Sequence, residues 1–375
     1  YQIHYHLVFG VLTDQMEEKM KKNFRSYEDA SKLAQKLGIK KIKCIITQIG
    51  KEDTFLKGRV LKTDKEIKDI KSEIYLGMAR NFKRFEWLYF LLFGASPAFS
   101  ETFTEKNLSS FEKSAKGSYF KEQATSLRMG DLGYISETQD ELNISINSIQ
   151  EYIQDLKTAL TKTHAEYENI GEFSDEQRIQ LNTSVIQIEN EYYSTIRPKR
   201  ICPSGERPIN ILNSQGIEYL ELRCVDLDPF NPIGIDRSQI DFLDAFLLFC
   251  FTKESPPLDK KEASLLKENH KKIVNEGRNP NLKIYAQRGE ASVSELANEL
   301  LEEMNQISEE SVKFVFEEKS NRWSEALKTQ KEKIEDLNLT PSGKVIERLI
   351  SDNLSHEELG MEIAEKNLAF FENYN

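Results

Sequence analysis

The sequence predicts a mixed α+β protein, and three observations support this class. Alternating strand patterns occur near the start of the chain and again between residues 181 and 236. Helical patterns, with apolar residues three and four positions apart, dominate the remainder and above all the chain after Asp236. No glycine-rich turn joins a regular series of strands and helices, so a doubly wound parallel sheet is not favoured.

The first half of the chain is predicted to contain two short strands and two helices. Residues 3–9 alternate as a strand does, and residues 42–46 have a second strand pattern. A lysine-rich amphipathic pattern over residues 15–37 predicts the first helix. A longer helical pattern with one apolar stripe covers residues 138–165.

The second half changes character twice. Residues 181–236 combine strand patterns and loops with five prolines. After Asp236 the pattern is helical to the end of the chain. Ser292 and Glu295 form a capping box ahead of one apolar stripe. The pair Thr340-Pro341 predicts the cap and first turn of another helix.

The composition is that of a globular protein with an acidic surface. The 375 residues are 39% hydrophobic and 30% charged, and 51 lysines and arginines face 62 acidic residues, for a net charge of −11. Sequence-independent binding to nucleic acid needs a cationic footprint, so we expect no nucleic-acid partner. Anions could still bind at a local basic site.

Neither a membrane span nor a metal-binding cysteine motif is predicted. The apolar runs at residues 87–93 and 246–251 are far shorter than the roughly 20 residues that a transmembrane helix requires. The four cysteines stand far apart, without the spacing of a zinc site or a disulfide framework. Reduced cysteines and a cytoplasmic location are therefore expected.

Several common catalytic motifs are absent from the sequence. There is no P-loop, no dinucleotide-binding glycine fingerprint, no nucleophile elbow and no HExxH zinc motif. Five histidines leave a Ser-His-Asp triad open, although nothing in their positions indicates one.

The strand pattern at residues 217–225 carries the most informative charges. One face of this strand offers Glu221 and Arg223 between apolar neighbours. An arginine inside an apolar strand needs a partner, which predicts either a structural ion pair or the floor of a binding site. In the second case Glu221 would bind Mg²⁺ and Arg223 would face a phosphoryl group, so that ATP could bind without a P-loop.

Two loops beside strands are rich in arginine and tyrosine. Residues 125–134 place Arg128 and Tyr134 around two glycines. Three cations lie close together in residues 193–200, namely Arg197, Lys199 and Arg200. The planar guanidinium group suits carboxylate and phosphate oxygens, so these loops are candidate anion sites, and solvated loop charges are the alternative.

Long segments of the chain resemble the glutamate–cysteine ligases of the gamma-proteobacterial type. The likeness runs with interruptions from about the start to Pro280 and is close between residues 181 and 236. The segments that carry it are FGASPAF (93–99), ATSLRMGDLGY (124–134), VIQIENEYYSTIRPKR (185–200) and SGERPINILNSQGIEYLELRCVDLDPFNPIGID (204–236), with a weaker match at NEGRNP (275–280).

This resemblance implies a fold and an activity. The fold would be similar to that of glutamine synthetase, with a curved antiparallel sheet as the floor of the active site, helices outside it and a helical C-terminal part. The activity would be ATP-dependent ligation of the γ-carboxylate of L-glutamate to L-cysteine through γ-glutamyl phosphate, the first step of glutathione biosynthesis. The resemblance also implies Mg²⁺ as cofactor, and we expect a monomer.

The resemblance further implies roles for three residues at the phosphoryl group. Glu221 matches a magnesium-ligand glutamate, and Arg223 matches the arginine that stabilises the transferring phosphoryl group. His4 is similar to a site histidine close to the metals and the phosphate. A neutral histidine in the core is the alternative for His4.

Roles toward the substrates follow in the same way. Arg128 matches a residue that grips a substrate carboxylate, and Tyr134 and Tyr193 match residues that line the pocket for cysteine. Arg197 and Arg200 fall in a matching motif, which implies anion binding nearby.

The resemblance also implies a division of the chain. Residues 1–11 and 81–236 would form the catalytic sheet core, 12–80 an inserted α/β subdomain, and 237–375 a C-terminal helical region of the same unit. The family carries an N-terminal portion with further acidic metal ligands, and this chain is expected to lack it. His6 stands where the family usually has asparagine.

Two further hypotheses remain open at this point. Another ATP-dependent carboxylate–amine ligase would keep the phosphorylation half of the reaction and use a different acceptor. A truncated, non-catalytic remnant would keep the fold without the missing metal ligands and without magnesium-dependent nucleotide binding.

Overall fold

A computed structural model describes residues 64–103, 108–114, 116–130, 132–133, 142–286, 288–311 and 322–372. Its secondary structure is mixed, with long helices and short strands that pair only in antiparallel ladders within the described ranges. The α+β class is therefore confirmed. The strands predicted at residues 3–9 and 42–46 and the helix predicted at 15–37 lie outside the described residues.

The helices of the described ranges include three short 3₁₀ turns. The α-helices, in chain order, are α1 (Asp64–Phe93), α2 (Ile149–Thr161), α3 (Ala165–Ile170), α4 (Pro208–Gln215), α5 (Arg237–Thr252), α6 (Lys260–Glu276), α7 (Val293–Ser311), α8 (Arg322–Glu335), α9 (Pro341–Ser351) and α10 (His356–Glu372). The 3₁₀ turns are Leu127–Met129, Glu189–Glu191 and Leu337–Leu339.

In the part of the chain that the structure describes, the strands form four small antiparallel sheets. They are β1 (Ala98–Ser100), β2 (Glu112–Lys113), β3 (Ser118–Phe120), β4 (Phe173–Ser174), β5 (Gln177–Arg178), β6 (Ile196–Lys199), β7 (Tyr219–Leu222), β8 (Lys283–Ala286) and β9 (Gly289–Ser292). The three-stranded sheet has the order β1-β3-β2, and the pairs are β4-β5, β6-β7 and β8-β9.

Helices α1 and α5 form the centre of the hydrophobic core. The two helices pack against each other, and each contributes a long run of buried apolar side chains, residues 87–93 in α1 and 245–250 in α5. Their aromatic rings interlock, with Phe82 and Phe246 centroids 5.5 Å apart and Phe93 and Phe242 centroids 5.0 Å apart. Strand β6 packs against α1, so this core supports one face of the β6-β7 pair.

None of the described helices combines the length and the apolar content that crossing a bilayer requires. The two apolar runs of the sequence lie in α1 and α5 and are buried in the core.

Helix α1 runs without a break across the predicted domain boundary at residue 80. The division of the chain into domains stays a prediction.

Two of the predicted helix starts agree with the structure. Helix α9 begins after Thr340, whose hydroxyl accepts a hydrogen bond from the Gly343 backbone N–H at 3.1 Å, and Pro341 is its first residue. Helix α7 begins directly after Ser292, and Leu300 and Met304 of its predicted apolar stripe are buried.

Two predicted helical stretches need correction. Of the helix predicted over residues 138–165, the described residues 142–148 are not helical, and α2 begins at Ile149, because Ser148 caps it by accepting from the Glu151 backbone N–H. The chain after Asp236 is not helical throughout, since β8 and β9 form a hairpin at residues 283–292. Gly289 in that hairpin has a φ of 102°, a conformation that favours glycine and ends helical continuity.

Gly94 brings the end of α1 against the segment that carries Arg128. Ser96 N–H donates to the Thr125 carbonyl at 3.3 Å, and Thr125 N–H donates to Val274 at the end of α6 at 3.1 Å. A Cβ on Gly94 would lie 2.7 Å from both the Phe90 and the Thr125 carbonyl oxygens. The close approach of these two segments therefore requires glycine at position 94.

We expect Gly94→Ala to lower the free energy of unfolding by about 2 kcal/mol or more, because two backbone carbonyls would have to move. Gly77→Ala in the same helix is the matched control, since its nearest neighbour would be 3.6 Å from the new Cβ. Helix propensity makes that change neutral or stabilising. Urea unfolding of both variants measures the difference, and equal stabilities would contradict the packing account.

Candidate functional site

The paired strands β6 and β7 place the charged residues of the sequence motif on one face. Their register sets Arg197 directly opposite Glu221 and Ile196 opposite Leu222. The Arg223 backbone N–H donates to the Thr195 carbonyl at 2.9 Å, which extends the ladder by one residue. Because side chains alternate along a strand, Glu221 and Arg223 share the face that also holds Arg197.

Glu221 is a buried carboxylate among cations. Its residue is 6% exposed, and the Lys199 ammonium lies 3.8 Å from Oε2. Burial and the neighbouring Arg197 lower the pKa of Lys199, while Glu221 raises it. The face therefore holds one acidic side chain together with Arg197, Lys199 and Arg223.

Arg223 and Tyr193 form the part of the site next to the Leu127–Met129 turn. The Arg223 guanidinium carbon lies 5.6 Å from the centroid of the Tyr193 ring, within cation–π range. The Tyr193 hydroxyl donates to the Arg223 carbonyl at 3.2 Å and lies 3.3 Å from Met129 Sδ. The structure thus brings together Tyr193 and Arg223, which are 30 residues apart in sequence.

Arg128 lies in the 3₁₀ turn and is anchored by Asp226. Its Nε donates to Asp226 Oδ1 at 2.6 Å, and its Nη2 donates to the Val225 carbonyl at 3.0 Å. Asp226 is 4% exposed, and its other oxygen accepts from the backbone N–H of Ala95 and the hydroxyl of Ser96. These bonds fix the guanidinium at the end of β7, where its side chain is 30% exposed. Its role toward a substrate carboxylate stays a prediction.

The two further arginines of the predicted anion motif have different surroundings. Arg197 is buried, donates to the Glu189 carbonyl at 3.1 Å and hydrogen-bonds Tyr152 on α2. Arg200 lies beyond the end of β6 and donates to the side chain and the carbonyl of Gln215, the last residue of α4. Only Arg197 of this pair is placed on the face with Glu221.

His4 and Tyr134 lie outside the described residues, so their predicted roles stay predictions. Within the described ranges no three histidine, cysteine or acidic side chains converge as a metal-binding cluster. Mg²⁺ takes one or two carboxylates together with substrate phosphates and water. The buried carboxylate of Glu221 suits one such position, and the cations around it suit the phosphates.

A cavity of about 730 Å³ is lined in part by Glu189, whose carbonyl is a hydrogen-bond partner of Arg197. It lies between α2, residues 181–189 and the first turn of α4. Glu189 connects the two features, because its carbonyl accepts from Arg197 while its carboxylate pairs with Arg207 at 2.8 Å. Lys157 and Asn210 are among its polar lining residues, and Leu181 and Ile209 are among its apolar ones.

The strand pattern at residues 217–225 does not predict the place of Lys199 or Asp226 in this site. Lys199 was identified as a loop cation, and the register adds it to the face of Glu221. Asp226 was not identified, although it is an acidic residue in the apolar run that continues β7. Its partner Arg128 is 98 residues away in sequence, and only the fold brings the two together.

The family model for glutamate–cysteine ligase matches residues 51–273, more than half of the chain. The chain belongs to the glutamate–cysteine ligase family. Similar relatives include the glutamate–cysteine ligase of Shewanella oneidensis, 39% identical over 308 residues, which are 82% of this chain and 58% of the relative. The enzyme of Azotobacter vinelandii is 41% identical over 283 residues, 76% of this chain and 53% of the relative.

Two solved structures have a similar fold. The glutamate–cysteine ligase of Francisella tularensis, determined in complex with AMP, matches with a TM-score of 0.74 at 34% identity, covering 82% of this chain and 61% of that one. A bifunctional glutathione synthetase from Pasteurella multocida matches at 21% identity with a TM-score of 0.59, covering 83% of this chain and 34% of that one, which supports the fold alone. The chain spans a little over half the length of the curated relatives it matches.

Proposed function

We propose that this protein ligates the γ-carboxylate of L-glutamate to the amine of L-cysteine at the expense of ATP, the first step of glutathione biosynthesis. One observation carries the proposal within this family. Glu221 and Arg223 occupy one strand face with Arg197 and Lys199, so a carboxylate suited to Mg²⁺ lies beside cations suited to phosphate. The AMP bound to the Francisella tularensis relative supports a nucleotide as co-substrate.

The proposed reaction has two steps, phosphorylation of glutamate and then amide formation. The γ-carboxylate of glutamate attacks the γ-phosphorus of ATP, which forms γ-glutamyl phosphate and releases ADP. The cysteine amine then attacks the acyl carbon, and the C–O bond to phosphate breaks as the amide forms. Inorganic phosphate and one proton leave together with γ-glutamylcysteine.

The described residues supply positioned charge to these steps. Arg223 offers its guanidinium to the phosphoryl oxygens as they move from ADP to glutamate. The ring of Tyr193 packs on that guanidinium, and the Thr195 carbonyl accepts from the Arg223 backbone N–H. Arg128, held by Asp226, grips a substrate carboxylate, and Tyr193 lines the pocket for cysteine. His4 and Tyr134 are proposed to complete the phosphate and cysteine sites, respectively.

Glu221 is the described residue that would hold Mg²⁺. When bound, the ion neutralises phosphate charge and orients the phosphates for transfer. Arg197 and Lys199 lie beside Glu221 on this face, with the Lys199 ammonium 3.8 Å from Oε2. Arg200 contributes positive charge next to this face.

The partners of the protein follow from this chemistry. We propose L-glutamate, L-cysteine and ATP as substrates, Mg²⁺ as cofactor, a monomer in solution and a cytoplasmic location. Nucleic acid is not among the partners, because the net charge of −11 opposes a polyanion.

Incubating the purified protein with ATP, Mg²⁺, glutamate and a panel of amino-acid acceptors tests the proposed activity. We expect γ-glutamylcysteine as the main product and no product when Mg²⁺ is omitted. Ligation to another amine with cysteine ignored would instead identify a different carboxylate–amine ligase. Absence of magnesium-dependent ATP binding by calorimetry would indicate a non-catalytic remnant.

Arg223→Ala should lower kcat by roughly 100-fold or more, because one preorganised charge on the transferring phosphoryl group is lost. The measurement is steady-state kinetics at saturating ATP. Arg178→Ala serves as control, since Arg178 is half exposed on the β4-β5 hairpin and pairs with Glu172. Unchanged turnover in Arg223→Ala would exclude the phosphoryl role of this arginine.

A further inference from the structure

Glu86 is a buried carboxylate in the apolar second half of α1. The residue is 4% exposed and lies between Phe85 and Trp87, where an unpaired charge would be strongly destabilising. Within the helix, the neighbour of opposite charge at helical spacing is Lys83, one turn earlier. The fold supplies two more partners from distant parts of the chain.

Three side chains surround the Glu86 carboxylate. Lys83 Nζ donates to Oε1 at 2.8 Å, and the Thr195 hydroxyl donates to Oε2. The His270 ring lies on α6 with Nδ1 3.4 Å from Oε1. Lys83 also donates to the Thr195 hydroxyl at 2.9 Å, so the contacts form a closed cluster.

The surroundings of Glu86 determine the charge state of its carboxylate. Burial raises the pKa of Glu86, but Lys83 and His270 outweigh it and lower the pKa to about 2. The carboxylate is therefore ionised throughout the physiological range. Hydrogen bonds to an ionised acceptor are shorter and stronger than neutral ones, so the cluster is a rigid support.

One branch of the cluster leads to Arg223. The Thr195 side chain donates to Glu86, and the carbonyl of the same residue accepts the Arg223 backbone N–H at 2.9 Å. Thr195 is 3% exposed and has no room to change partners. Thr195 therefore links the backbone of Arg223 to Glu86 on α1 through two hydrogen bonds.

The other branch leads to the turn that carries Arg128. His270 Nε2 donates to the Met129 carbonyl at 2.9 Å, and Met129 directly follows Arg128 in the 3₁₀ turn. The His270 ring also packs edge-on against Phe90 of α1, with centroids 4.9 Å apart. The hydrogen bond to Met129 and the packing against Phe90 therefore fix the orientation of the His270 ring.

We propose that Glu86 is a positioning residue, which holds Arg223 through Thr195 and Arg128 through His270 in the geometry that phosphoryl transfer requires. This inference rests on the proposed ligase activity and deepens it. Glu86 touches no substrate in this account. Its effect is on the relative placement of two arginines that belong to segments almost 100 residues apart.

Glu86→Gln should lower kcat roughly 10- to 100-fold with little change in the KM for ATP, because small misplacement of a preorganised group affects the transition state most. Thr195→Val should behave likewise, and Thr195→Ser, which restores the hydroxyl, should recover most of the activity. These two variants keep the test valid if Glu86→Gln is too unstable to purify.

Glu262→Gln is the matched control. Its carboxylate also faces α1 and accepts from buried Arg84 at 2.7 and 3.1 Å, but among the described residues no hydrogen bond joins that pair to Thr195 or Met129. We expect lower thermal stability with kcat unchanged. A loss of kcat equal to that of Glu86→Gln would show that activity follows stability, which would overturn the positioning role.

Hydrogen exchange of the peptide covering residues 219–225 provides a readout independent of activity. Exchange at the Arg223 amide should be about tenfold faster in Glu86→Gln and Thr195→Val, and unchanged in Thr195→Ser and Glu262→Gln. Unaltered exchange in the first two variants would overturn the inference. If the unsubstituted protein makes no γ-glutamylcysteine, the proposed function fails, while the exchange data still decide whether Glu86 positions Arg223.

Discussion

The antiparallel register that sets Arg197 opposite Glu221 is the constraint on which the candidate site depends. The alternate positions Ile196, Leu220 and Leu222 are buried in the core formed with α1 and α5. A slip of one residue would move the charged side chains into that core and the apolar ones out of it. Hydrophobic packing on one face therefore determines which charges gather on the other.

Local charge differs in sign from the protein as a whole. The chain carries a net charge of −11, yet the face around Glu221 gathers Arg197, Lys199 and Arg223. Such a concentration of cations at a half-buried site attracts phosphate groups more strongly than scattered surface charges do. Outside this face, Asp226 pairs with Arg128, and Glu86 accepts hydrogen bonds from Lys83 and Thr195.

The sequence was sufficient to predict the α+β class, the family and the shared face of Glu221 and Arg223, because strand alternation and long matching segments are local signals. The sequence could not predict the pairs Arg128–Asp226 and Thr195–Glu86. Their members lie 98 and 109 residues apart, and only the fold brings them together. The β8-β9 hairpin was missed because its strands are four residues each and lie between two long helices. Short strands carry too few alternating positions to compete with a helical pattern.

The central claim is that the γ-carboxylate of glutamate is phosphorylated before the amide forms. Glutamate labelled with ¹⁸O in that carboxylate tests it directly, with ATP, Mg²⁺ and cysteine present and the released phosphate examined by mass spectrometry. The account predicts one ¹⁸O atom in each phosphate that accompanies γ-glutamylcysteine, because the bridging oxygen leaves with phosphorus. γ-Glutamylcysteine formed together with unlabelled phosphate would contradict it.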